Sequence, residues 1–266
     1  MNEQKVIALG FFDGVHRGHA SLLRMAKQRA AELNIQPAVM SFDLHPDTLV
    51  HGAPVLLINS LEDRQDIIRR CFGIENVILA HFDESMMHMP WDVFVEDYLI
   101  RELGAAHLVC GYDFRFGDRG YGTPERLREK CRAMGIGLDV MSQVSLNGVT
   151  VSSTHIRKLL AEGKMEQANH FLGHPHTLVD HVRSGFRLGR TIDAPTINMQ
   201  FPEGVLVPRY GVYAAKVFLE DGRCCEAVTN IGVRPTFSGD GERVTVESHI
   251  LDFNGDLYGQ KIQMEL

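Results

Sequence analysis

Four apolar residues, Val6-Ile7-Ala8-Leu9, run without a break into Gly10-Phe11-Phe12-Asp13-Gly14-Val15-His16-Arg17-Gly18-His19. A short apolar run that stops at a glycine reads as a buried strand. From Ala20 to Leu33, apolar residues Leu22, Leu23, Ala26, Ala30 and Leu33 recur at helical spacing. Strand, glycine-rich turn and helix together aim backbone N–H groups and a helix N-terminus at an anion. His16 and His19 add side-chain donors at the same spot, and Gly18 between them presents no Cβ to an approaching phosphate. The ligand this implies is a nucleotide polyphosphate. A metal site is the weaker alternative, because no third ligand stands at a convincing spacing.

The first half goes on alternating strand and helix patterns. Strands are predicted at Ala38–Phe42, Val77–Ala80, His107–Cys110 and Leu138–Met141, and helices at Leu61–Cys71, Pro90–Leu103 and Thr123–Met134. Ser60 is placed to cap the helix after it, and Gly104 to end the helix before it. Strands separated by helices imply a parallel sheet with helices on both faces and ligands at the carboxyl ends of the strands. The loops after Leu9, Phe42 and Cys110 all occupy such ends. Met86, Met87 and Met89 before Trp91 read as core or lid packing.

Ser152-Ser153-Thr154 opens a further helix to about Ala161, and a short one near Glu166–Leu172 ends at Gly173-His174-Pro175. From Thr177 the pattern changes to β-like runs: 178–182, 211–219, 224–230, 244–251 and 261–265. Asp221-Gly222, Gly239-Asp240-Gly241 and Asn254-Gly255-Asp256 mark turns between them, which predicts an antiparallel barrel. The domain boundary is expected near His174. The chain stops inside the alternating pattern Lys261–Glu265, so the natural protein is expected to continue.

Composition excludes several classes. A net charge of −7 over 266 residues argues against a nucleic-acid partner. The five cysteines are odd in number and contain no Cys-x-x-Cys pair, so neither a disulfide framework nor a zinc site is implied. With no signal peptide and no membrane-length apolar run, a reduced cytoplasmic protein is expected. Self-association stays open.

A second cluster is Val151-Ser152-Ser153-Thr154-His155-Ile156-Arg157, where hydroxyls, N-terminal amides and a guanidinium can converge on an oxyanion. Such a string is also an ordinary helix cap. In the second half, Pro195-Thr196-Ile197-Asn198 taken alone reads as a turn, and Glu247 in Val244–Ile250 as one more polar strand residue.

Taken jointly, these motifs resemble the prokaryotic bifunctional riboflavin kinase/FAD synthetase family. The resemblance rests on Gly-x-Phe-Asp-Gly-Val-His-x-Gly-His, on Gly111-Tyr112-Asp113-Phe114-Arg115-Phe116-Gly117 and on Val-Ser-Ser-Thr-x-Ile-Arg. It continues through Gly189-Arg190-Thr191, Ala194-Pro195-Thr196-Ile197-Asn198, Gly211-Val212-Tyr213, Asn230–Thr236 and Glu247–Leu251, in the family's order. It implies a Rossmann-like nucleotidyltransferase over 1–172 that joins FMN and ATP into FAD and pyrophosphate, then a riboflavin kinase barrel over 176–266.

By that resemblance His16 and His19 hold the ATP phosphates, with Gly10, Phe11, Asp13, Gly18 and Asp113 around the nucleotide. Ser152, Ser153, Thr154 and Arg157 steady the pyrophosphate, and Phe42 and His45 stand on the flavin side. In the kinase, Glu247 is the base, Thr196 and Asn198 offer oxygens to Mg²⁺, and Gly185, Arg187, Gly189, Arg190 and Pro195 serve the phosphates. Three positions depart from the family: Asp113 where Asn is common, Leu44 where Pro often stands, and Asp193-Ala194 in place of Gly-Phe. The strand and helix that close the family's kinase site do not follow Leu266, so a weakened kinase beside an intact adenylyltransferase is also expected. The alternatives are an FAD synthetase whose second domain binds flavin without turning it over, and a flavin or nucleotide sensor.

Overall fold

A computed structural model describes residues 3–183, 196–235 and 242–266. Its contacts divide the chain into two units: Met1–Val55 with Arg64–Ser152, and Leu56–Asp63 with Ser153–Leu266.

The first unit begins β1 (Lys5–Leu9), α1 (Arg17–Leu33), β2 (Gln36–Phe42), α2 (Pro46–His51), α3 (Leu61–Phe72) and β3 (Asn76–Ala80). It continues with α4 (Glu84–Met87), α5 (Trp91–Val93), a π-helix (Phe94–Glu102), β4 (Ala105–Gly111), α6 (Pro124–Met134) and β5 (Gly137–Met141). The five strands are parallel and lie in the order β3-β2-β1-β4-β5. The unbroken apolar run of β1 follows from burial on both faces. Val6 and Ala8 pack with Leu22, Leu23 and Ala26 of α1 and Ile67 and Ile68 of α3. Ile7 and Leu9 pack on the other face with Phe94, Leu99, Leu127 and Cys131. Met86 and Met89 also pack against that second cluster.

The predicted elements all form, with two changes in their geometry. Helix α1 starts at Arg17, three residues before its apolar pattern, because His16 caps it. The segment predicted as one helix over 90–103 is a single α-turn followed by nine residues of π-helix, ending in a Leu103 N–H to Tyr98 carbonyl bond of 2.9 Å. Apolar spacing does not separate these two windings. Ser60 caps α3 as expected, accepting the Asp63 N–H at 3.0 Å. Strand order, which periodicity does not encode, puts β1 and β4 side by side where the connections reverse direction. That reversal opens a crevice at their carboxyl ends, where α/β sheets bind ligands. A two-stranded hairpin, β6 (Ser145–Leu146) with β7 (Val149–Thr150), follows.

The second unit contains α7 (Ser153–Ala161), α8 (Met165–Leu172), β8 (Thr177–His181), β9 (Thr196–Met199), β10 (Gly211–Phe218), β11 (Cys224–Pro235), β12 (Glu242–Ile250) and β13 (Lys261–Glu265). Its sheet is antiparallel in the order β8-β13-β10-β11-β12-β9. The two edges meet at a bridge in which the Arg183 N–H donates to the Asn198 carbonyl at 2.9 Å, so the sheet curls into a barrel. Val217, Thr229, Val246, Ser248 and Met264 fill its inside. Segment Leu56–Asp63 joins this unit through paired backbone bonds, Leu57 N–H to Gly204 and Leu206 N–H to Leu57. The turn reading of 195–198 gives way to a strand over Thr196–Met199, because β12 supplies an antiparallel partner that a local pattern does not reveal.

Candidate active sites

In the first unit the turn after β1 is wound tightly. Phe12 (φ 60), Gly14 (φ 76) and Val15 (φ 42) all take positive φ. Only glycine does so at no cost, and each of the other two stores roughly 1–3 kcal/mol of strain. Burial holds them: Phe12 and Val15 are packed in the core. Two glycines make room for rings. A Cβ on Gly10 would stand 3.2 Å from the Phe12 ring, and one on Gly18 would stand 3.1 Å from the His16 ring. Gly18 thus serves the histidine itself as well as opening the turn.

The turn delivers His16 and His19 as a stacked pair, ring centroids 3.6 Å apart and planes within 10°. His16 Nδ1 accepts the His19 backbone N–H at 3.2 Å. As an acceptor that nitrogen bears no proton, so the His16 proton sits on Nε2. Burial pushes the His19 imidazole well below its ordinary range, helped by His16 and by the nearby Arg64 charge. Two imidazoles at the mouth of a helix can donate to phosphate oxygens while leaving the helix amides free to help.

Arg64, on α3, was not legible in the sequence as a site residue. It is almost wholly buried. Its Nη1 donates to the Phe11 carbonyl at 2.7 Å, the Ser41 hydroxyl at 2.9 Å and the Phe42 carbonyl at 3.2 Å. Its guanidinium lies 4.1 Å from the Phe11 ring centroid. Ser41 also donates to the Phe11 carbonyl, at 2.8 Å. Asp13 is buried and, with Asp43, offsets part of the cost of burying this cation. Asp43 in turn accepts from the Phe82 N–H at 3.0 Å and pairs with His81 at 2.6 Å.

Phe42 ends β2 with its ring edge-on to Phe82. His45 caps α2, its Nδ1 accepting the Asp47 N–H, and its ring meets Phe11 edge-on at 4.5 Å. The turn, Phe42 and His45 therefore form one contiguous patch. Across the reversal point, the loop after β4 holds Asp113 exposed and Phe114 and Phe116 stacked at 5.3 Å. A Cβ on Gly111 would stand 3.0 Å from Asp113 Oδ1. The Val151 carbonyl lies 3.9 Å from the place of a Gly18 Cβ, so the chain passes the turn just before Ser152, Ser153 and Thr154. Arg157 lies one turn into α7.

In the second unit, Glu247 of β12 is flanked in register by Asn198 of β9 and by Asn230 of β11. His249 faces Thr196 in the same ladder. Side chains alternate across a sheet, so Thr196, Asn198, Asn230 and Glu247 share the face opposite the buried Val246, Ser248 and Thr229. Glu247 is half-buried. A hydroxyl, an amide oxygen and a carboxylate on one face are hard oxygen donors, and Mg²⁺ takes such donors when phosphates supply the rest. Asn230, which opens the motif Asn230–Thr236, was given no site role from the sequence. Gly185, Arg187, Gly189, Arg190 and Pro195 lie outside the described residues.

The two units define a class: an α/β domain of the nucleotidyltransferase kind, with a histidine pair at its reversal point, followed by a barrel with a carboxylate between two amides. Comparison with known families agrees. A family model described as FAD synthetase matches residues 1–155, and one described as riboflavin kinase matches residues 172–266. The chain belongs to the bifunctional riboflavin kinase/FMN adenylyltransferase family. The relative of that name from Listeria monocytogenes is 34% identical, over 98% of this chain and 82% of its own length. Those from Bacillus subtilis and Escherichia coli K12 are 35% and 36% identical, each over 98% of this chain and 83% and 82% of their own. A crystal structure named as a macrolide-efflux protein from Streptococcus pneumoniae has a TM-score of 0.86 at 28% identity, covering all of this chain and 85% of that one. No described helix of the present chain is long and apolar enough to cross a membrane.

Proposed function

We propose that this chain performs both reactions of its family, phosphorylating riboflavin to FMN and then adenylylating FMN to FAD. The observation that carries the second step is the stacked His16–His19 pair at the N-terminus of α1, where the sheet connections reverse. We assign residues 1–172 to the adenylyltransferase and 176–266 to the kinase.

In adenylyl transfer, an FMN phosphate oxygen attacks the α-phosphorus of ATP, and the bond to the β-phosphate oxygen breaks to release pyrophosphate. The attacking phosphate is already anionic, so the protein contributes position and charge stabilisation and needs no base. His16 and His19 donate to the phosphate oxygens from the helix mouth. Gly10, Phe11, Asp13, Gly18 and Asp113 frame the nucleotide, and Phe42 and His45 lie toward the flavin. Ser152, Ser153, Thr154 and Arg157 receive the pyrophosphate.

The kinase step differs because its nucleophile is a neutral alcohol. Glu247 takes the proton from the riboflavin 5′-hydroxyl as that oxygen bonds to the γ-phosphorus and ADP departs. Asn198 and Asn230 stand in register on either side of it. Thr196 and Asn198 suit Mg²⁺, which when bound neutralises charge on the phosphates. Gly185, Arg187, Gly189, Arg190 and Pro195 are assigned to the phosphates by resemblance alone. A cytoplasmic location accords with the five free cysteines.

The test is a time course with riboflavin, ATP and Mg²⁺. FMN appearing first and FAD after it supports both activities. Conversion of supplied FMN alone would leave an FAD synthetase, and tight binding without pyrophosphate release would leave a sensor.

A further inference from the structure

Arg64 is a cation sealed inside the first unit, and only one of its three nitrogens is engaged. Nη1 makes all three of its hydrogen bonds, whereas Nε and Nη2 are buried with no partner. Burying a guanidinium costs several kcal/mol unless it is paired and bonded. A chain needing only a strut here would use a neutral donor or an apolar side chain.

Two features of the turn identify the use. The Phe11 carbonyl and the β2 terminus (Ser41 hydroxyl, Phe42 carbonyl) converge on Nη1, so the same atom ties β1's glycine turn to the strand beside it. That turn contains Phe12 and Val15 at positive φ, a conformation that relaxes unless its ends are fixed. The stacked imidazoles are the second feature. Rings 3.6 Å apart repel if both carry a charge, and protonation of His16 Nδ1 would remove the acceptor of the His19 N–H.

We propose that Arg64 is a positioning residue for adenylyl transfer: it fastens the histidine-bearing turn to the end of β2 and keeps a positive charge close to the stacked pair. Burial is the chief influence on His19, and His16 and then the Arg64 charge add to it. The groups facing this cluster are Asp13 and His16 from the turn, Asp43 from the end of β2, and Arg64 from α3. Burial brings Arg64 itself down to about 10, so it stays cationic at neutral pH. Burial, His16 and this cation together hold His19 below its ordinary range. Lysine would restore the charge but not the planar guanidinium that lies 4.1 Å from the Phe11 ring centroid.

This inference rests on the adenylyltransferase reading, and the experiment separates the two. Histidine-labelled protein is titrated by NMR, with the His19 resonance assigned from its loss in His19→Ala. FMN adenylylation is measured against pH for the wild type, Arg64→Met and Arg64→Lys, and riboflavin phosphorylation by the same preparations reports folding. In the wild type His19 is expected to titrate well below pH 6.5. In Arg64→Met its titration and the acid limb of kcat/KM both move up, so the loss of adenylylation deepens as pH falls. Arg64→Lys lowers kcat but leaves the limb where the wild type has it. A wild-type His19 titrating near 6.5, or an equal loss in both variants with the limb unmoved, overturns the proposal. If Arg64→Met does not fold, the wild-type titration and the lysine variant decide. Full adenylylation by His19→Ala would instead reject the reading of the site, whatever Arg64 does.

Discussion

His176 gives the second unit an acid sensitivity of predictable size. Its side chain is wholly buried between α8 and β8. The Asn169 side chain accepts its backbone N–H at 2.8 Å, and its own carbonyl accepts the Leu266 N–H at 2.9 Å. Burial pushes the imidazole down to about 4, with His174 adding to the effect and the Ile58 backbone opposing it. Above pH 6.5 the ring is neutral in both folded and unfolded chains, and its contribution is complete. As pH falls through 6.5 the unfolded chain takes up a proton that the folded chain refuses, so stability drops by about 1.4 kcal/mol per pH unit. The loss stops near pH 4, where the folded form protonates too. Over the whole window it comes to about 3.4 kcal/mol, and between pH 7.5 and 4.5 to about 2.5 kcal/mol. Hydrogen exchange of the β8 and β13 amides, corrected for intrinsic rates, reads the opening free energy of this unit. Other groups titrate in the same range, so the quantity to follow is wild type minus His176→Leu. A difference that stays flat to within about 0.5 kcal/mol across that range would refute the argument.

The two proposed sites should separate by mutation. His19→Ala is expected to cut FAD formation by a factor of about 10² or more while riboflavin phosphorylation continues, and Glu247→Ala to do the reverse; product chromatography from one mixture tests both. Gly137→Ala puts a methyl 2.1 Å from His107 Nδ1 and displaces a ring that bonds Asp139 at 2.8 Å, an acid that Arg29 also grips at 2.6 Å. A loss of about 1–3 kcal/mol in urea unfolding is expected there. Gly117→Ala faces both a φ of +71° and the Trp91 Cα at 2.5 Å. The loop after β4 should then shift, raising the KM for nucleotide more than it lowers kcat, as steady-state kinetics will register.

Elements built from local patterns were legible from the residues themselves. The run Val6–Leu9 is apolar at every position because both its faces are covered, and α1 and α3 carry their core residues at helical spacing. Caps and turns were equally local, as Ser60 on Asp63 shows. The order of motifs along the chain was enough to indicate the family. Other features depended on partners distant in sequence. Thr196–Met199 looked like a turn because its strand character comes from pairing with β12, some fifty residues on. Asn230 stands beside Glu247 only through the register of two long strands. The π-winding of Phe94–Glu102 has no apolar periodicity of its own to announce it.

Arg64 shows the division most clearly. In sequence it is one charge among several in Leu61-Glu62-Asp63-Arg64-Gln65-Asp66, near the start of a predicted helix. Folding brings that helix beneath a turn more than fifty residues earlier and encloses the guanidinium against two carbonyls and a ring. Residue types and spacing determined that this chain would place two histidines at a helix mouth after a buried strand. Which distant charge lies beside them was decided by tertiary packing, because electrostatic influence depends on distance and burial and neither is written in a linear order of residues.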